Sequence, residues 1–176
     1  MVWLLIIVIV GLVFAPALWL RPSRGQQRIS RLRAAAREAG VTVRLETPPL
    51  HEADGSMAAY RWAFPQQQPG PDFVLVRDVV GSALLKPFRR GWRWRIEPLR
   101  ALPASVVECL EAALAELPED ALVLESSAAA LTLWWEESLE VGALAPLLQR
   151  LRALRDALSG RPDRPHRRAS TPALPR

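Results

Sequence analysis

The chain has 176 residues, half of them hydrophobic by type, with a formal net charge of +5, which is room for a single core plus flanking segments. One cysteine, Cys109, excludes an intramolecular disulfide and a disulfide-built scaffold. Residues 21–37 hold six arginines and no acid and residues 161–176 five arginines and one Asp, while residues 38–160 hold twelve basic against seventeen acidic groups, so the central part lacks the concentrated positive charge of a nucleic-acid-binding domain.

Residues 1–20, MVWLLIIVIVGLVFAPALWL, carry no charged side chain. Twenty helical residues span roughly 30 Å, the thickness of a bilayer's hydrocarbon core. Trp3 and Trp19 stand near the two ends, where aromatic belts form. A cleaved signal peptide would carry positive charge before a shorter apolar core, and here all of it follows, so a retained transmembrane helix is predicted. The arginines after the span place that side in the cytoplasm and the amino terminus outside. The expectation is a single-pass protein of a bacterial inner membrane.

Residues 21–39 read as a basic juxtamembrane helix, firmest over residues 26–39 and stopped by Gly40. Ile29, Leu32, Ala36 and Ala39 form its narrow apolar stripe. Trp3, Trp19, Arg21, Arg24, Arg28 and Arg31 are the expected membrane-interface residues, the arginines snorkelling or meeting anionic headgroups. Leu20, Arg21 and Pro22, followed by Gln26, Gln27 and Arg28, resemble the start of YajC, the small accessory subunit of the bacterial preprotein translocase. That resemblance covers residues 1–35 and implies an accessory role in secretion. Beyond it, the family's Gly-Asp-x-Val-x-Thr run has no counterpart; the chain reads Ala39-Gly40-Val41-Thr42-Val43-Arg44-Leu45.

Residues 40–160 are predicted to be one α+β domain, a small antiparallel sheet with helices packed on one face. Strands are expected over residues 41–46, 59–64, 73–77 and 91–98. In the second, Tyr60, Trp62 and Phe64 share a face. In the last, Trp92, Trp94 and Ile96 point inward and Arg93, Arg95 and Glu97 outward. Ser105 to Glu108 has capping-box spacing ahead of an apolar stripe through Val106, Leu110, Ala113, Leu114 and Leu117. A hairpin over residues 122–136 turns at Ser127 and Ala128. A helix over residues 140–158, firm from Ala143 because of Pro146, ends at Gly160. Helix-strand-strand order recurs over residues 28–64 and 105–136. The Pro- and Arg-rich tail, residues 161–176, is predicted to be disordered.

No nucleotide, nucleophile-elbow or metalloprotease motif occurs, and His51 and His166 lack partners at metal-ligand spacing. No catalytic residue, cofactor or metal is expected. Cys109 reads as an inert thiol on an apolar helix face. Glu136 and Glu137 read as solvated carboxylates at a strand end. Trp62, Trp92, Trp94, Trp134 and Trp135 read as core from their strand alternation, but Trp134 and Trp135 are consecutive, so in a strand they point to opposite faces and one of them is a candidate for exposure. Trp134 with Arg89, Arg90, Arg93 and Arg95 is the candidate interaction surface. The reading is a non-enzymatic, membrane-tethered interaction or accessory domain, with the lipid bilayer and an unidentified protein as partners. A translocase subunit, an enzyme and a membrane-recruited nucleic-acid binder are the alternatives.

Overall fold

The structure is a computed structural model that describes residues 2–3, 23–50 and 55–163. Helix α1 (Arg24–Glu38) leads into strands β1 (Thr42–Glu46), β2 (Met57–Ala63), β3 (Phe73–Arg77), β4 (Lys86–Pro87) and β5 (Trp92–Ile96). Helix α2 (Ala104–Glu116), strands β6 (Ala121–Ser126) and β7 (Ala130–Trp135) and helix α3 (Val141–Leu158) complete it. The seven strands form one sheet in the order β1-β2-β7-β6-β3-β5-β4, every neighbouring pair antiparallel. The fold is α+β.

Register explains the burial. Val43, Tyr60, Leu133, Leu124, Leu75 and Trp94 make one row across the sheet. Apart from Trp94, which is half-buried, these side chains are buried in the main core with Leu32 and Ala36 of α1, Leu110 and Leu114 of α2, and Leu144, Leu151 and Leu154 of α3. All three of these helices, among the described residues, therefore cover one face. The adjacent row, Arg44, Ala59, Trp134, Val123, Val76 and Arg93, faces the other way because side chains alternate along each strand. On that back face Ala59, Val74, Val76, Val123 and Trp134 make a second cluster, covered by Leu50, Met57, Leu85 and Leu122.

This second cluster corrects two expectations. Trp134 and Trp135 do point to opposite faces, but both are buried, because both faces are covered. The ladder between β3 and β5 carries a bulge: Leu75 pairs with Trp94, yet Val74 pairs with Ile96. One extra residue, Arg95, reverses the alternation after it, so Ile96 joins the back-face row and is 51% exposed. Trp92 keeps its inward place, with the Arg77 guanidinium 4.9 Å from its ring centroid.

Helix ends also differ from expectation. Helix α2 begins at Ala104 on Pro103, whose carbonyl accepts from Val106 and Val107; Ser105 lies inside the first turn and caps nothing. The capping box is at α1, where Ser23 Oγ accepts from Gln26 N and Gln26 Oε1 from Ser23 N. Helix α3 starts at Val141 and tolerates Pro146 in its second turn. The tail is pinned at its beginning: Asp163 is buried and its Oδ2 accepts from the amides of Asp72 and Leu99, 3.1 Å each, while the Gly160 and Arg161 amides donate to the Gln68 and Pro69 carbonyls. Residues 164–176 lie outside the described residues.

The expected break at residue 40 is no break in the packing, since Leu32 and Ala36 of α1 are fully buried among α3 and the sheet. Leu32→Ala is expected to cost about 2–5 kcal/mol, as deletion of a buried leucine does, read as a lower denaturant midpoint. A fragment starting at residue 38 should be less stable than one starting at Ser23. In β5, Trp92→Ala should cost about 3–5 kcal/mol, whereas Ile96→Ala should stay within about 1 kcal/mol, as at other exposed positions. Equal losses at the two positions would contradict the bulge.

Candidate functional site

Strand directions give the sheet two distinct ends. One end carries the last residues of β1, β3 and β7 and the first of β2, β5 and β6. Helix α1 starts at this end, because Arg28 reaches the carbonyls that follow β7 while Gly40 leads into the far end of β1. Ser159 to Asp163 lies at the opposite end, against Gln68, Asp72 and Leu99.

At the α1 end the chain leaves β7 through a strained turn. Glu137 has φ +62°, a left-handed conformation that costs a non-glycine residue about 1–2 kcal/mol. The carboxylate of Asp120 holds the turn, accepting from the amides of Glu136 and Ser138 at 3.0 Å and from the Ser138 hydroxyl at 2.7 Å. The left-handed step sends Glu136 out to solvent and Glu137 inward, where it is 3% exposed. Two adjacent solvated carboxylates were expected; past the last residue of a strand, alternation no longer says which way a side chain points.

Two groups bond the buried carboxylate and a third holds the main chain of the turn. Arg33 donates from Nε at 2.8 and 3.1 Å and from Nη2 at 2.5 Å, a bidentate pairing, and Tyr60 Oη donates to Oε1 at 2.8 Å. Arg28 Nη1 donates to the main-chain oxygens of Glu137 and Leu139 at 2.8 and 2.6 Å. The bond to Glu137 holds the Arg33 guanidinium above its ordinary range although burial works against it. Burial, and then the bond to Glu137, push the Tyr60 phenol well above its own. The ring of Tyr60 stands edge-on to Trp135 at 5.3 Å. With Arg33, Met57 and Trp135, Glu137 lines an open cleft of about 360 Å³. Both carboxylate oxygens are occupied from within the protein, so the cluster works as a latch between α1 and the sheet.

The other part of this end is the pair of loops around β4. The Asp78 amide donates to the Gly91 carbonyl at 2.9 Å, bringing the loop after β3 beside the turn before β5. Arg93 anchors the first loop across the back face, pairing with Asp78 at 2.8 Å and donating to the Ala83 and Leu85 carbonyls. Outward from this frame stand Val79, 78% exposed, and Leu84, 95% exposed.

The predicted site residues separate accordingly. Trp3 is exposed, and Trp19 and Arg21 lie outside the described residues. Arg24 and Arg31 are exposed on α1, but Arg28 is turned into the protein. Of the interaction surface, Trp134 is buried, its indole N–H donating to Glu125 at 3.2 Å. Arg93 is engaged as above, and Arg95 donates to the Pro49 carbonyl. Arg89 is well exposed and pairs with Glu111 at 3.1 Å, and Arg90 is exposed with φ +58°. Cys109 is half-buried, and burial raises its thiol pKa. Among the described residues no three His, Cys, Asp or Glu side chains converge as metal ligands would. Nothing in the sequence motifs marks Arg33, Tyr60 and Glu137; the only signal is the Arg-rich helix of unusually small apolar stripe, which needs another means of attachment.

No family model, curated protein or solved structure matches the chain.

Removing one partner of a buried ion pair costs roughly 3–5 kcal/mol, and Glu137→Ala should fall in the lower part of that range because the Arg33 side chain keeps 24% of its exposure. Tyr60 is the one tyrosine in the chain, so its ionisation is directly readable by absorbance. A phenol whose folded pKa is raised contributes stability that is complete below its unfolded value, about 10, and is lost as pH rises from there. The tyrosinate band should therefore be missing from the folded protein where a free tyrosine ionises and should appear together with unfolding. A normal titration in the folded state would show that Tyr60 is not held by Glu137.

Proposed function

We propose that the protein is a membrane-tethered interaction or accessory domain, held close to the bilayer in a fixed attitude. One observation carries this reading. Helix α1 is locked to the sheet by Arg28, Arg33, Leu32 and Ala36, and its cap residue Ser23 stands three residues after the uncharged run 1–20. A domain meant to search freely would be joined by a flexible linker; here no room for one exists. The latch converts the direction of the apolar segment into the orientation of the whole domain.

Among the described residues no helix is long and apolar enough to cross a membrane, and residues 4–22 lie outside them. The reading of residues 1–20 as the span rests on their composition and length, and the cytoplasmic placement of the domain on the six arginines that follow. The opposite end of the sheet, with Gln66, Gln67 and the start of the basic tail, then points away from the bilayer and is the end free to meet a protein partner. A secretion accessory role in the manner of YajC is the version in which that partner is the translocase channel, and co-purification in mild detergent tests it.

A reporter active only in the cytoplasm, fused after Gly160, should be active, and one active only in the periplasm silent. Deleting residues 2–20 should release the chain from the membrane fraction. A released phenotype without the deletion, or the reverse reporter pattern, contradicts the reading.

A further inference from the structure

The loop between β3 and β4 exposes apolar side chains, Val79 where it leaves the end of the sheet at which α1 starts and Leu84 where it turns back into β4. Val79 and Leu84 are both large and nearly free of protein contact, whereas their neighbours Leu85 and Val76 turn into the back-face cluster. A soluble surface tolerates scattered apolar residues, but these two sit on one loop that is held out rigidly. Its backbone is bound at three places: Asp78 to Gly91, and Ala83 and Leu85 to Arg93. A second turn in the same loop, Val80 and Gly81 donating to the Arg77 carbonyl, fixes Val79 at its tip.

The flanking charge is of the matching kind. Residues 77–97 contain six basic and two acidic side chains. The acids near the tip are engaged, Asp78 by Arg93 and Glu111 by Arg89, while Arg90 projects into solvent on a left-handed residue of the β4–β5 turn. Exposed Glu136 follows β7, three strands from β5, and exposed Glu119 stands near Arg77, whose guanidinium donates to the Pro118 and Ala121 carbonyls. Exposed apolar side chains with an arginine beside them suit the boundary between lipid headgroups and acyl chains, where apolar area enters and cations meet phosphate. Position supplies the occupant. Helix α1 starts at this end, and only Arg21 and Pro22 separate its cap from the apolar run.

We infer that the loop carrying Val79 and Leu84, with Arg90 beside it, is a second membrane contact that seats the domain on the bilayer surface next to its own anchor. The inference rests on the tether proposed above. It gives the domain two supports, the span and the loop, and so restricts rotation about the span.

The test uses the full chain in vesicles of phosphatidylethanolamine and phosphatidylglycerol. In a Cys109→Ala background, an environment-sensitive dye is placed by Leu84→Cys or, at the opposite end, by Gln67→Cys. Both positions are exposed, so labelling leaves the core intact. With lipids spin-labelled near the headgroup, the dye at position 84 should shift to the blue and lose intensity, and the dye at position 67 should do neither. Vesicle association with identical signals at the two positions overturns the second contact and leaves the tether standing. Failure of the chain to float with vesicles overturns both.

Discussion

Glu137 is a carboxylate taken out of water, and the arrangement of this domain follows from how it is compensated. Its two oxygens receive the fork of Arg33 and the hydroxyl of Tyr60, and its own carbonyl receives Arg28. Such a cluster adds little net stability, because desolvation offsets most of the attraction. What it does add is specificity. Only one placement of α1 brings two arginines to one turn, and a left-handed glutamate is retained there because Asp120 and Arg33 over-determine the turn from opposite sides. The apolar stripe of α1, Leu32 and Ala36, is too small to impose that placement alone.

The sheet is used on both sides. The helix side is a conventional core of leucines against alternating strand residues. Among the described residues no helix lies on the back face, yet Val74, Val76, Val123 and Trp134 are buried there by chain segments and by Leu50, Met57, Leu85 and Leu122. Covering a face with loops requires fixing the loops, and Arg93 does this through Asp78 and two carbonyls. The same fixation holds Val79 and Leu84 outward. Stability of the back face and exposure of the loop tip are therefore two consequences of one arginine.

The termini of the domain leave by opposite ends. Ser23 and α1 lie at the end with Glu137 and the β4 loops, while Asp163 closes the other against Asp72 and Leu99.

The α+β class, the helices over one face and the inward set Tyr60, Trp62, Phe64 and Trp92 were legible by period alone, because alternation and 3.6-residue spacing are local properties that burial of one face imposes. The six arginines after an uncharged run were legible in the same way. Period fails where the chain departs from it. The bulge at Arg95 sends Ile96 to the other face, and the left-handed step at Glu137 turns a presumed solvent carboxylate inward. Neither leaves a mark in composition. Trp134 was misplaced for another reason: a strand residue opposite the helix layer is exposed only if nothing else covers it, and that depends on loops remote in sequence. Sequence by itself determined which residues are apolar, at what spacing and where the charges lie. Tertiary structure decided which arginines are free and which are bound, because pairing Arg28 and Arg33 with a turn more than a hundred residues away depends on how the sheet is ordered, and strand order is not written in any local pattern.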